Sequence, residues 1–295
     1  YSSAASDVYK RQLTLSGGDV ALNGASSIGR LLMSSGQLRG LGSLTITGVG
    51  TNISGGTLEG GGVISVALGG TVLVTAPILS ITRSLLVSGN VTQQGGQVNL
   101  AGGGLIRTLA GGRYTLLGAN PALRNGTLEM VGGTVTLAAS GRARVELVQL
   151  THTSGTLSAT GATATITPAG GTYIVGGRLQ AVGDAILDVT GNLTFLSQAI
   201  FSSVFVALPG RLQAPRVNVL GTATLAGTIE IGLVGRWTEP VASAVVLSAS
   251  VRVGTFNRLT IAPKYLGLQP FISYVGGEVR VTLLPVFYAI AGGPP

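Results

Sequence analysis

A short motif recurs along most of this chain: a glycine turn followed by two or three alternating apolar and polar residues. Examples are GGTLEG, GGTVLV, GGQVNL, NGTLEM, GGTVTL and GGRLQA. This pattern is typical of a turn that opens a short β-strand. The turn glycines include Gly36, Gly56, Gly96, Gly112, Gly133, Gly155 and Gly177. Where they are consecutive they recur about every 20 to 22 residues, and a fixed period of this length indicates stacked structural repeats.

The period predicts an all-β fold, a parallel β-helix (β-solenoid) in which each coil contains about 20–22 residues. Coils that stack about 4.8 Å apart would align inward Val, Leu and Ile side chains in columns. A β-sandwich, the main alternative, would show unequal strands and varied loops. The 48 glycines argue against a helical fold, because each glycine inside a helix costs about 1 kcal/mol relative to alanine. We expect right-handed winding, the preferred hand of parallel connections.

The first twelve residues, YSSAASDVYKRQ, lack this pattern and resemble the translation of a sequencing adapter. We therefore expect residues 1–12 to be an artefactual tail, residues 13–236 to form the solenoid coils, and residues 237–295 to form the terminal coils and a cap. The natural chain would then be longer, with a signal peptide lost by truncation. No window approaches 18 uninterrupted apolar residues, so we predict no transmembrane segment. The absence of cysteine excludes disulfides and thiolate metal sites.

The C-terminal part of the chain is rich in aromatic residues, as a cap over the last coil would be. Seven of them lie from position 237 onward: Trp237, Phe256, Tyr265, Phe271, Tyr274, Phe287 and Tyr288. The run VVLSASVRVGTFNRLTIAPKYLGLQPFISYVGGEVRVTLL resembles the closing segment of bacterial surface β-helices, namely autotransporter passengers and filamentous-haemagglutinin-like adhesins. The matching residues are the strand 245–247, the turn Gly254, Thr255 and Phe256, and Tyr274, Gly276, Gly277, Val279 and Val281.

This resemblance implies a secreted or cell-surface, adhesin-like stalk without catalysis, whose partners would be glycans or other surface proteins. One feature departs from the family, whose passengers are commonly acidic, because this chain has a net charge of +8. A basic surface suits acidic polysaccharide, lipopolysaccharide or nucleic acid. The arginines are scattered singly and have no interleaved aromatic residues, so we predict no specific nucleic-acid partner.

A carbohydrate-active β-helix enzyme, a polysaccharide lyase or a hydrolase, is the alternative function, and it would need clustered carboxylates. Outside the first twelve residues the acids are Asp19, Asp184, Asp188 and six Glu. If the segment DAILD is a strand, Asp184 and Asp188 face the same side but lie about 13 Å apart, beyond either glycosidase spacing. We therefore predict solvated surface carboxylates, no enzymatic activity, and no catalytic, cofactor-binding or metal-binding residues.

His152 is the only histidine, and its neighbours Thr151 and Thr153 predict an exposed strand position. Threonine pairs of the form Thr-x-Thr raise a third, less favoured function, an ice-binding face. The pairs are Thr45/Thr47, Thr134/Thr136, Thr163/Thr165/Thr167 and Thr222/Thr224, and their irregular spacing argues against a regular array.

The sequence also predicts ion pairs between successive coils. Five pairs of Arg and Glu are separated by about one coil length: Arg39 with Glu59, Arg107 with Glu129, Arg124 with Glu146, Glu230 with Arg252, and Arg258 with Glu278. If the coil has this length, each residue faces its partner across about 4.8 Å.

Overall fold

The computed structural model of this chain describes residues 12–161, 163–235, 241–262 and 268–285. Within these ranges, 31 strands form one continuous and mostly parallel sheet that winds into a β-solenoid. The predicted fold class is confirmed.

The first half of the described chain contains strands of two to five residues joined by tight turns, with a few longer strands. In chain order they are β1 Gln12–Ala21, β2 Ser26–Ile28, β3 Arg30–Arg39, β4 Leu44–Ile46, β5 Thr51–Ile53, β6 Thr57–Leu58, β7 Val63–Val66, β8 Thr71–Val74, β9 Ile78–Ile81, β10 Ser84–Val87, β11 Asn90–Gln94, β12 Gln97–Asn99, the 3-10 helix Ala101–Gly103, β13 Leu105–Thr108, β14 Arg113–Gly118 and β15 Ala122–Arg124.

The second half contains longer strands, several of which continue around a corner. They are β16 Thr127–Ala139, β17 Arg142–Leu147, β18 Gln149–Thr160, β19 Thr163–Pro168, β20 Thr172–Val175, β21 Arg178–Val182, β22 Ile186–Val189, β23 Asn192–Phe195, β24 Ile200–Leu208, β25 Arg211–Gln213, β26 Arg216–Leu225, β27 Thr228–Val234, β28 Ala242–Gly254, β29 Arg258–Ile261, β30 Leu268–Val275 and β31 Glu278–Pro285.

Each full coil places one strand segment on each of three faces. Face 1 contains the first halves of β1 and β3, then β5, β8, β11, β14, the second halves of β16 and β18, and β21, β24, β27 and β29. Face 2 contains the second halves of β1 and β3, then β6, β9, β12, β15, β17, β19, β22 and the first halves of β26 and β28. Face 3 contains β2, β4, β7, β10, β13, the first halves of β16 and β18, β20, β23 and the second halves of β26 and β28.

Coil length follows from the register on face 1. The chain returns to one position at Thr14, Leu32, Asn52, Leu73, Thr92, Thr115, Thr136, Ser158, Gln180, Ser202, Glu230 and Thr260. The step in residue number stays close to the predicted period up to Ser202, and it is longer from Ser202 to Glu230 and from Glu230 to Thr260. The predicted coil length is therefore wrong for the last two coils. One reason is the antiparallel β24–β25 hairpin, which adds residues between faces 1 and 2.

The core is a set of inward columns, because every second residue of each strand points into the solenoid. On face 1 one such column contains Val91, Tyr114, Val135, Leu157 and Leu179, each at most 1% exposed. Full burial of such an aliphatic side chain contributes at most about 1.5–3 kcal/mol. These columns hold successive coils together.

Glycine occupies the corners because successive coils approach closely there. Gly112, Gly133, Gly155 and Gly177 stack at the corner between faces 3 and 1, where a Cβ on Gly133 would lie 2.3 Å from the carbonyl oxygen of Gly112. Gly36, Gly56 and Gly96 belong to the corner between faces 1 and 2. The single glycine series of the sequence thus combines two different corners.

At the C-terminal end, an antiparallel hairpin pairs with the first part of β28. Strands β30 and β31 pair with each other, and β31 also pairs antiparallel with residues 242–248 of β28. Phe256 is buried against Phe195 and Phe201, and its backbone N–H donates to the hydroxyl of Tyr274 at 3.1 Å. The hairpin therefore ends the parallel ladder at this edge.

The predicted N-terminal tail and the predicted C-terminal cap lie partly outside the described residues. Gln12, which the prediction assigned to the tail, belongs to β1 and pairs with Arg30. Residues 1–11 and the aromatic residues Trp237, Tyr265, Phe287 and Tyr288 lie outside the described residues.

Candidate functional site

An open groove of about 720 Å³ lies on face 2 near the C-terminal end of the solenoid. Its lining residues come from β17, β19, β22, β26, β28 and the turns that follow them. They are Arg142, Thr165, Asp188, Thr190, Arg216, Asn218, Val219, Leu220, Ser248, Ala249 and Ser250. We call this surface the polar groove.

The floor of the polar groove is a column of outward side chains. Arg144, Thr165, Asp188, Asn218 and Ser248 lie in register on successive coils. Their inward neighbours in each strand are core residues, so the alternation of the strands fixes the polar side chains outward. The sequence thereby builds a line of charged, hydroxyl and amide groups about 4.8 Å apart.

A chain of hydrogen bonds orients three groups of this floor. The Ser248 hydroxyl donates to Asn218 Oδ1 at 3.0 Å, and Asn218 Nδ2 donates to Asp188 Oδ1 at 2.9 Å. The direction of the chain fixes the orientation of the Asn218 amide. Asp188 Oδ2 takes no part in it.

Two arginines flank the floor. Arg142 Nη2 lies 3.8 Å from Asp188 Oδ2, and Arg216 Nη2 donates to the Ser248 hydroxyl at 3.4 Å. Arg142 and Arg216 belong to the same outward column, three coil steps apart, which is about 14 Å between their backbones. Both contacts are long, and the Arg142 side chain is 52% exposed. The guanidinium groups are therefore free to turn toward a ligand.

The hydroxyl of Thr165 also has hydrogen-bonding capacity to spare. Its Oγ1 atom is buried and, among the described residues, has no hydrogen-bond partner. It lies in register between Arg144 and Asp188. The groove thus combines cationic groups, one carboxylate and several neutral hydrogen-bonding groups.

The structure separates the two aspartates that the sequence placed on one strand. Asp184 lies in the turn before β22 and accepts a hydrogen bond from Gln213 Nε2 at 3.4 Å. The two aspartates would share one side only if the whole segment were a strand, and that condition is not met, because β22 begins only at Ile186. The register neighbours of Asp188 are Thr165 and Asn218, so no second carboxylate lies beside it in this column.

The remaining acids do not assemble into a centre within the described residues. No group of three or more His, Cys, Asp or Glu side chains there could hold a metal ion. Asp19 forms a salt bridge with Arg39 at 3.0 Å, with both side chains about half exposed. The described carboxylates therefore act mainly as partners of arginine.

Two of the five predicted ion pairs between coils are confirmed. Arg107 contacts Glu129 at 2.5 Å on face 3, and Arg124 contacts Glu146 at 2.8 Å on face 2. Both pairs lie directly in register.

The other three predicted salt bridges do not form. Arg39 and Glu59 do follow the register pair Leu38–Leu58 on successive coils, as predicted, but no salt bridge joins them. Arg39 pairs with Asp19, Glu230 pairs with Arg178, and Glu278 pairs with Arg280. Glu230 lies on one of the two long coils, so the expected spacing fails there, and Glu278 lies on the antiparallel hairpin. Hydrogen bonding from Arg178 lowers the pKa of Glu230.

His152 is buried, and the prediction of an exposed position is wrong. It is 3% exposed and lies in an inward column between Met130 and Val175. Its Nδ1 lies 2.8 Å from the hydroxyl of Tyr173, and its Nε2 lies 3.3 Å from the carbonyl oxygen of Gly155. Burial lowers the pKa of His152 to about 4. The ring is therefore neutral at pH 7.

The Thr-x-Thr pairs do not form one surface. Thr134 and Thr136 lie on face 1, the threonines of β19 on face 2, and Thr224 on face 3. On face 1, the neighbour of Thr134 on the preceding coil is Arg113. The regular array that an ice-binding face would need is absent from these positions.

The fold places the chain in the class of parallel β-solenoids. Comparisons with protein-family models, curated proteins and solved structures found no match to this chain. In the part of the chain that the structure describes, no helix is long and apolar enough to cross a membrane.

Proposed function

We propose that this chain is a secreted or cell-surface, adhesin-like stalk that presents a binding surface and does not catalyse a reaction. The observation that supports this proposal best is the continuous parallel register from β1 to β29 on face 1. A stack of this kind is stiff along its axis, because every coil is hydrogen-bonded to the next.

The face 1 register from Thr14 to Thr260 comprises eleven coil steps, which is about 53 Å at about 4.8 Å a step. A rod of these proportions can hold the polar groove away from the surface to which it is attached. The resemblance of the C-terminal run to closing segments of bacterial surface β-helices supports the same function.

The first experiment tests whether the chain is exposed at the cell surface. Cells that express the complete reading frame are labelled with antibodies against this chain, without permeabilisation. The proposal predicts labelling of intact cells. Labelling only after permeabilisation would contradict the surface location.

The second experiment separates a stalk from a carbohydrate-active enzyme. Purified chain on beads is tested for retention on surfaces coated with glycans or proteins, and the same polymers are assayed for release of reducing or unsaturated ends. We expect retention without product. Product formation that Asp188→Asn abolishes would support the enzyme instead, since Asp188 is the carboxylate of the polar groove.

A further inference from the structure

We propose that the polar groove binds an anionic polysaccharide, with Arg142 and Arg216 as the groups that recognise its carboxylates or sulfates. This inference rests on the proposed adhesin-like function and names the ligand class of that surface. It depends on the geometry of face 2 and not on the overall charge of the chain.

The charge of the polar groove favours an anion. Arg142 and Arg216 line it together with one carboxylate, Asp188, and Arg144 continues the floor. On the same face, Arg124 and Glu146 neutralise each other in a salt bridge. This pair therefore adds no net charge next to the groove. A guanidinium presents a planar fork that matches carboxylate and sulfate oxygens.

The separation of the two arginines favours a polymer over a small anion. Arg142 reaches Asp188 and Arg216 reaches Ser248, and these two contact points are two coil steps, or about 10 Å, apart. In this arrangement a single carboxylate does not contact both guanidinium groups. A chain that carries anionic groups at intervals can lie along the groove and contact both. The groove is open, as a site for an extended polymer must be.

The neutral groups of the floor favour a sugar polymer over a nucleic acid. Thr190 and Ser250 donate their hydroxyl protons to backbone carbonyl oxygens, which leaves their hydroxyl oxygens as acceptors in the groove, and Asn218 adds a side-chain amide. Hydroxyls and amides of this kind can exchange hydrogen bonds with sugar hydroxyls. None of the lining residues is aromatic, whereas single-stranded nucleic acids are held mainly by stacking on aromatic rings.

Asp188 provides a test in which a substitution should strengthen binding instead of weakening it. Its Oδ2 atom competes for Arg142, and its charge repels an anionic polymer. Asp188→Asn retains an oxygen that can accept from Asn218 Nδ2 and removes the charge. If the groove binds an anionic polysaccharide, this variant binds it more tightly than the parent chain.

The experiment measures dissociation constants by biolayer interferometry for four immobilised polymers: a polyuronate, a sulfated glycan, neutral dextran and single-stranded DNA. The variants are Arg142→Gln/Arg216→Gln, Asp188→Asn, and the control Arg113→Gln/Arg258→Gln. The control removes the same charge from exposed positions on face 1. Melting temperatures verify that each variant is folded.

We expect binding to the polyuronate, the sulfated glycan or both, and none to dextran. The groove double variant should bind at least about tenfold more weakly, the control less than about twofold, and Asp188→Asn about twofold or more tightly. The relative affinity for the two anionic glycans identifies the preferred anion.

Three results would overturn the inference. They are equal losses in the groove variant and the control, DNA binding as tight as glycan binding, and no binding to either anionic glycan. If beads still adhere to other surfaces while the groove variants have no effect, only the inference fails. Release of product from the polymers would instead contradict the proposed function.

Discussion

At the level of single residues, the interior of the solenoid contains polar side chains that bond across one coil step. The Tyr114 hydroxyl donates to Gln93 Oε1 at 3.0 Å, and Gln93 Nε2 donates to the carbonyl oxygen of Ala122 at 3.0 Å. His152 and Tyr173 form a second pair of this kind. A buried polar group without a partner costs free energy, so these contacts favour one register as well as filling the core.

His152 should make the stability of the protein depend on pH. Its folded pKa of about 4 lies below the ordinary value of 6.5, so the unfolded chain binds more protons between these pH values. Stability therefore falls as the pH is lowered from about 6.5 to 4, and the full loss is about 3 kcal/mol. Urea denaturation at pH 7.5 and pH 4.5 measures it.

The control for this prediction is His152→Gln, which retains hydrogen-bonding groups and does not titrate. The loss of stability between the two pH values should be smaller in the variant by about 2–3 kcal/mol. Equal losses in the parent chain and the variant would show that other groups cause the acid sensitivity.

The corner glycines give a second prediction for single residues. A Cβ on Gly62 would lie 1.9 Å from the Gly42 carbonyl oxygen and 2.1 Å from Arg83 Nη2, which donates to that same oxygen. Gly62→Ala should therefore destabilise the fold by about 2 kcal/mol or more. The measurement is the free energy of unfolding.

Gly170→Ala is the matched control. A Cβ at Gly170 would have no neighbour within 4 Å, and the backbone there is not in the left-handed region. It should be neutral or stabilise the fold by up to about 1 kcal/mol. Similar effects of the two substitutions would contradict the close stacking at the corner.

At the level of the strands, the sequence predicts what depends on local pattern. The alternation of core and surface residues, the turn glycines and the pairs Arg107–Glu129 and Arg124–Glu146 follow from a regular period. The burial of His152 could not be predicted from its threonine neighbours. Leu150 lies two residues before His152 and packs against the core. Because residues i and i+2 of a strand point to the same side, this alternation was the signal that His152 points inward.

The polar groove was not predicted because its residues come from coils of unequal length. Asp188 and Asn218 are 30 positions apart in sequence, as are Asn218 and Ser248, whereas Thr165 and Asp188 are closer together. A constant period at the predicted coil length does not bring Asp188, Asn218 and Ser248 together. Only the tertiary register shows that they form one column.

The C-terminal hairpin should keep the solenoid from associating through its edge. Deletion of residues 263–295 removes β30 and β31 and exposes the edge of β28 at residues 242–248. An exposed strand edge is a template for pairing with another chain. Sedimentation velocity of the truncated chain should show association that increases with concentration.

A lysine on the same edge provides the control. Ser243 is exposed and pairs with Thr282 of β31, so Ser243→Lys in the truncated chain places a charge on the uncovered edge. This variant should associate less than the truncated parent. A truncated chain that stays monomeric at every concentration would contradict the role of the hairpin.

At the level of the whole molecule, one stacking register accounts for both the rod and the polar groove. Three faces wind around a continuous apolar core, and the long final coils bring Asp188, Asn218 and Ser248 onto one line. The proposed binding surface therefore exists only if these coils stack as the register describes. The right-handed winding remains a prediction from the general preference of parallel connections.

Engineered disulfides test this register most directly, and the chain has no cysteine of its own to interfere. Asn218 and Ser248 are far apart in sequence but lie in register on adjacent coils, with side chains in contact at 3.0 Å. Adjacent coils are about 4.8 Å apart, within the range for a disulfide. Asn218→Cys/Ser248→Cys should therefore form an intramolecular disulfide in the folded protein, detected by mass spectrometry.

Asp188→Cys/Ser248→Cys, two coil steps or about 10 Å apart, should stay reduced under the same conditions. A disulfide in the first variant and none in the second is the predicted result. Failure of the first pair to oxidise in the folded protein, or equal oxidation of both, would contradict the stacking of coils on which the groove depends.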